Sequence, residues 1–65
     1  MDQRVRFNPR GRWHVVQTID ADAGAVWTVC GLSQVLRFVE VEDGLPLRSD
    51  CCGTCRRLVE RRAGR

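Results

Sequence analysis

The chain has 65 residues and a formal net charge of +3, and all 11 of its basic residues are arginines. So short a chain is one domain at most and buries only about 60% of the surface it exposes when unfolded. A catalytic pocket is therefore hard to enclose, and a staple is expected, because below roughly 70–80 residues an apolar core seldom suffices alone. No apolar run approaches the roughly 20 residues that span a bilayer. The opening MDQRVRFNPRGR lacks the apolar stretch of a secretory signal, so a reducing cytoplasm is expected. In that compartment clustered cysteines bind metal more often than they form bridges. The charge is also divided along the chain. Residues 1–12 carry four arginines against Asp2, residues 56–65 carry five against Glu60, and the segment between holds six of the eight carboxylates. The absence of lysine reads either as selection of guanidinium for bidentate contacts or as the codon bias of a GC-rich genome.

In chain order, residues 1–12 read as a basic arm. It is a short extended stretch with Val5 and Phe7, closed by a turn at Asn8-Pro9 and Gly11. Residues 13–63 are expected to form the domain, with 64–65 as a tail. WHVVQTI (13–19) and AVWTVC (25–30) are rich in β-branched and aromatic types and flank the turn cluster DADAG, which predicts an antiparallel hairpin. VLRFVEVE (35–42) alternates at its end and predicts a third strand, stopped at Asp43-Gly44. After a loop through Leu45-Pro46, CRRLVERR predicts a short C-terminal helix. Thr54 or Asp50 would cap it, Arg61 and Arg62 would lie in its last turn, and Gly64 would end it. About ten residues are too few for a helix to stand alone, so something must hold its first turn.

A hairpin turning about Asp22 pairs residues whose numbers sum to 44. Val15 then opposes Val29, and His14, the one histidine, opposes Cys30. Opposed side chains have Cβ atoms about 4.5–5.5 Å apart, which suits two ligands of one tetrahedral ion. A one-residue slip would break the match. Cys52-Gly53-Thr54-Cys55 is a C-x2-C, the usual spacing for two ligands on one metal, placed where a helix N-terminus favours thiolates. The predicted centre is one structural zinc held by His14, Cys30, Cys52 and Cys55. Gly31 would let the backbone curl behind Cys30. Cys51 is left over, with Cys51-x3-Cys55 as the alternative pair. A disulfide pairing would need an oxidising compartment and leave His14 without a role. An iron–sulfur cluster wants four cysteines at closer spacing.

RWHVV, WTVCG and CCGTCRRLVERR together resemble the small zinc-finger proteins of actinobacteria and their phages, which read H…T-x-C-G…C-x-x-C-R. The resemblance covers about 13–62. The elements above predict a small α+β domain, a hairpin with a third strand and a short C-terminal helix, similar to a zinc ribbon or treble clef, and the resemblance implies one structural zinc. It implies no particular activity.

A zinc with four protein ligands leaves no open position for water or substrate. No Ser/His/Asp set, phosphate-cradling glycine loop or carboxylate cluster offers another chemistry, so a non-enzymatic module is expected. Arg4, Arg6, Arg10 and Arg12 on the arm, with Arg56, Arg57, Arg61 and Arg62 on the helix, are the candidates for contact with nucleic acid or a nucleic-acid-associated complex. A protein adaptor or homodimer using a Trp13, Val15, Trp27, Val29 face is the alternative. A thiol sensor built on Cys51 is a third class.

Overall fold

A computed structural model describes residues 2–63; the expected helix stop at Gly64, Arg65 and the 64–65 tail lie outside the described residues. Five strands form one antiparallel sheet: β1 (Gln3–Arg6), β2 (His14–Asp20), β3 (Ala25–Thr28), β4 (Ser33–Val35) and β5 (Glu40–Asp43). Their order is β4-β3-β2-β1-β5, and the helix α1 (Gly53–Ala63) follows.

β4 and β5 lie on opposite edges although only 36–39 separate them in sequence. Five flat strands would put the edges about 19 Å apart, at about 4.8 Å per step. The link includes a 3-10 turn, Leu36–Phe38. With a rise of about 2 Å per residue in that turn, the link reaches only about 13 Å. The sheet must therefore curl. The single third strand expected over 35–42 is in fact two strands joined by this turn. Val39 N–H bonds back to Leu36 O at 3.3 Å, and nothing in VLRFVEVE announces the break.

The expected extended arm is likewise a strand of the sheet. β1 lies between β2 and β5 because its arginines face acidic partners: Arg4 is directly opposite Glu42, and Arg6 opposite Glu40. Arg4 pairs with Glu42, and Arg6 Nη2 lies 2.6 Å from Glu40 Oε2. Both guanidiniums lie over the Trp13 ring, with Cζ 5.1 Å and 4.6 Å from its centre. Val5, between them, is fully buried. The turn at Asn8 forms as expected, with Gly11 N–H donating to Asn8 O at 2.7 Å.

The core is small, comprising Val5, Val15, Val26, Thr28, Cys51 and Cys55. Val15 packs with Cys51 and Cys55, and Val59 joins them from α1, which holds the helix against β2. The expected Trp13, Val15, Trp27, Val29 face is divided. Val15 is buried beneath the helix segment, Trp13 lies under two arginines, and Trp27 is 40% exposed. Among the described residues, no helix is long and apolar enough to cross a membrane.

Candidate metal centre

The hairpin meets its end contact by a route the turn alone does not give. Asp20 pairs with Ala25, Ile19 with Val26 and Thr18 with Trp27, a register one residue away from the expected one. The cause is a four-residue turn over 21–24. Asp20 Oδ1 accepts the N–H groups of Asp22 and Ala23, both at 3.1 Å, and Gly24 takes a φ of 65°. Continued unbroken, that ladder would place His14 opposite Gly31. A bulge at Gln17 absorbs one residue, so Val16 opposes Thr28 and Val29 N–H bonds to Val15 O at 2.9 Å. His14 thus returns to the level of Cys30, and His14 Nδ1 lies 3.5 Å from Cys30 Sγ.

Beyond β3 the chain folds into a tight loop. Thr28 N–H donates to Leu32 O at 2.8 Å, Leu32 N–H to Thr28 Oγ1 at 3.0 Å, and Gly31 N–H to Thr28 O at 3.0 Å. Gly31 has a φ of 94°, in the left-handed region that a side chain rarely adopts. The loop brings Cys30 Sγ within 3.1 Å of the buried Thr28 hydroxyl. Thr28 is a member of the site that the residue-by-residue reading gave no role. Its only signal was its place in WTVCG. Phe7 is another: its ring stacks on His14 with centroids 4.9 Å apart and planes at 22°.

The second and third sulfurs arrive through a parallel bridge. Trp13 N–H donates to Asp50 O at 2.8 Å, and Cys52 N–H to Trp13 O at 2.7 Å. This link fastens the start of α1 beside His14. Neither Thr54 nor Asp50 caps the helix. Cys52 occupies that position, since it directly precedes the helix and its carbonyl accepts Arg56 N–H at 2.9 Å. Cys55, one turn in, is fully buried. The donor atoms of His14, Cys30, Cys52 and Cys55 all lie within 4.8 Å of one another. Cys55 Sγ is 3.9 Å from His14 Nδ1. Ligand bonds of about 2.0–2.3 Å put the edges of a tetrahedron at about 3.5–3.8 Å, so both measured edges suit one ion. Cys51 is outside this group. It is buried among Val15 and Cys55 with its side chain in the core.

Cys52, Cys55 and His14 differ in charge preference. Burial raises the Cys52 thiol, but the Cys55 and Thr54 backbone together with the Cys30 and Cys55 side chains outweighs it, and the net shift is downward. Burial pushes Cys55 up to about 12, with the Val15 backbone offsetting only part of it. Burial also raises Cys51 and lowers His14, which favours the neutral, metal-ready imidazole. A lowered thiol at a helix start beside the raised Cys55 thiol suits stepwise loading, in which the first thiolate attracts the cation and the cation then displaces the Cys55 proton.

The eight arginines expected at a partner surface fall into two sets. Arg4 and Arg6 are in β1 with Glu42 and Glu40, while Arg10 and Arg12 are in the following turn and exposed. Arg56, Arg57, Arg61 and Arg62 are exposed on α1, and the neighbouring Glu60 pairs with Arg48 at 3.3 Å. Comparison with protein-family models, curated proteins and solved structures yields no match to this chain, so its function has to be read from the site itself. What the site offers is a His/Cys3 cluster able to hold one metal ion, built from the end of a hairpin and the first turn of a helix.

Proposed function

We propose that the protein is a non-enzymatic zinc-stabilised module of zinc-ribbon or treble-clef kind. It acts as a small regulatory or adaptor protein that contacts nucleic acid or a nucleic-acid-associated complex. The observation that carries this reading is the convergence of His14, Cys30, Cys52 and Cys55 within 4.8 Å. Three thiolates and an imidazole are the donor set that tetrahedral Zn²⁺ prefers. Four protein ligands fill the coordination shell, and the one histidine is used in it, which supports a structural rather than a catalytic ion. The pattern also resembles the small actinobacterial zinc fingers, a kinship we propose alongside.

Support for a polyanionic partner comes from charge. Arg10, Arg12, Arg56, Arg57, Arg61 and Arg62 are exposed. Elemental analysis of the purified chain tests the first half; one zinc per chain is expected, and none would overturn it. Binding to single- and double-stranded oligonucleotides across a salt series tests the second. Several phosphate contacts give a steep loss of affinity with salt, whereas a flat response or no binding argues against nucleic acid.

One observation favours a protein partner as the second reading. Trp27 is 40% exposed and Phe38 65% exposed. A partner that covers Trp27 would shift its fluorescence to the blue, and an oligonucleotide bound through arginines elsewhere would leave it unchanged.

A further inference from the structure

An open concavity of about 360 Å³ lies where the turn after β1, the start of β2 and the 3-10 turn Arg48–Asp50 meet. Arg6, Arg10, Arg12, Trp13, Ser49 and Asp50 line it. Three are guanidiniums and one is a carboxylate. With Glu40, which pairs Arg6, also counted, the surroundings keep a net positive charge. Two of the guanidiniums are held in place. Arg6 Nη2 is 2.6 Å from Glu40 Oε2 and its Cζ lies 4.6 Å over Trp13, while Arg12 Nη1 donates to Ser49 O at 3.2 Å. Arg10 leaves a turn fixed by its own N–H, which donates to Asn8 Oδ1 at 2.9 Å.

The Arg6 Nε is buried and has no hydrogen-bond partner among the described residues. Buried donors in folded proteins are nearly always satisfied, so Arg6 keeps one unused donor that a small turn of its guanidinium would offer to an acceptor in the concavity. The planar guanidinium fork matches the paired oxygens of a phosphate. The volume falls within the range of about 300–1,000 Å³ typical of small-molecule sites, which is room for a nucleotide as well as its phosphate.

We propose that this concavity binds a phosphate group, carried by a nucleotide or by a nucleic-acid strand, through Arg6, Arg10 and Arg12. The inference deepens the nucleic-acid reading above and rests on it for the carrier of the phosphate. It places the centre of contact at the turn between β1 and β2 rather than sharing it with the helix. Arg4 is outside the site, because its Nη1 donates to Asp43 O at 2.9 Å while Nη2 is engaged by Glu42.

The test is a nitrogen–proton NMR titration of the full metal-loaded chain with inorganic phosphate, adenosine monophosphate and a short single-stranded oligonucleotide at matched ionic strength. Shifts of the Arg6 Nε–H and Trp13 indole signals are expected with at least one phosphate carrier. Arg10→Gln with Arg12→Gln should weaken that binding at least tenfold, and Arg57→Gln with Arg61→Gln should leave the monophosphate affinity unchanged. Zinc content reports whether each variant is folded, and Arg10→Gln alone serves if the Arg12 change disturbs the Ser49 contact. An oligonucleotide that binds only through the helix arginines overturns the site and leaves the nucleic-acid reading standing. Monophosphate bound here without any oligonucleotide binding keeps the site and removes that reading. Silence of the Arg6 and Trp13 signals toward all three ligands overturns the proposal outright.

Discussion

His14 Nδ1 and Cys30 Sγ are 3.5 Å apart because two departures from a regular hairpin cancel. The four-residue turn moves the ladder one residue out of step, and the bulge at Gln17 moves it back. Deleting Gln17 would leave Val16 opposite Thr28 and His14 level with Cys30. The deletion variant is therefore expected to keep one metal per chain and lose only the local kink and twist. Inserting one glycine between Val15 and Val16 would instead carry His14 to the other face. That variant is expected to lose stoichiometric metal. Metal content of the two variants checks the pair; equal content in both would show that register does not control the site.

Cys51 and Cys52 are neighbours with opposite tasks. Cys52 caps α1 and faces the donor cluster, while Cys51 is in the core beside Val15. Cys52→Ser is expected to weaken metal binding more than about 100-fold, beyond the usual effect of outer-shell changes. Cys51→Ala removes one buried sulfur and should cost about 1 kcal/mol of stability with metal stoichiometry unchanged. Competition against a chromophoric chelator separates the two. Metal loss in the Cys51 variant alone would reverse the assignment.

The quartet could be read from the chain because its spacing is chemical: a C-x2-C at a helix start, and one His and one Cys on a predicted hairpin. β1 could not. Arg4 and Arg6 flank only one buried apolar residue, and their partners Glu42 and Glu40 are 38 and 34 residues away. A strand held by distant charges looks like a solvated arm until its acidic counterpart is placed. The break inside 35–42 was hidden for a different reason. It is imposed by the need to reach the other edge of the curled sheet and carries no glycine or proline. The cap was missed because cysteine is not among the usual capping residues, and a thiolate serves only where donors converge on it.

Thr28 ties the loop after β3 and touches Cys30 Sγ through the same oxygen. Its hydroxyl can donate to the sulfur while accepting Leu32 N–H, which orients Cys30 and favours the thiolate form that binds a metal. Thr28→Val keeps the shape and removes both bonds, leaving Leu32 N–H short of one acceptor. A 10- to 100-fold loss of metal affinity is expected, near the usual range for second-shell partners. Thr28→Ser should recover most of it. If valine binds metal as well as threonine does, neither bond of the hydroxyl supports the metal site.

Metal binding should strengthen with pH, and the sign follows from the sulfurs. With its thiol pushed up to about 12, Cys55 carries a proton at neutral pH that the metal must displace. Each displaced proton steepens affinity about tenfold per pH unit. His14, lowered by burial, becomes a competing acid only further down the scale, so acidification first reprotonates sulfur and then adds imidazolium. The helix reports the outcome, because eleven residues do not hold a helix without an anchored first turn. Chelation at pH 7.5, or acidification below about 5, should abolish most of the helical circular dichroism at 222 nm. Returning zinc at pH 7.5 should restore it. Calorimetry in buffers of different ionisation enthalpy counts the protons released. An affinity flat between pH 6 and 8, or a helix untouched by chelator, would place the staple of this fold somewhere other than the four donors.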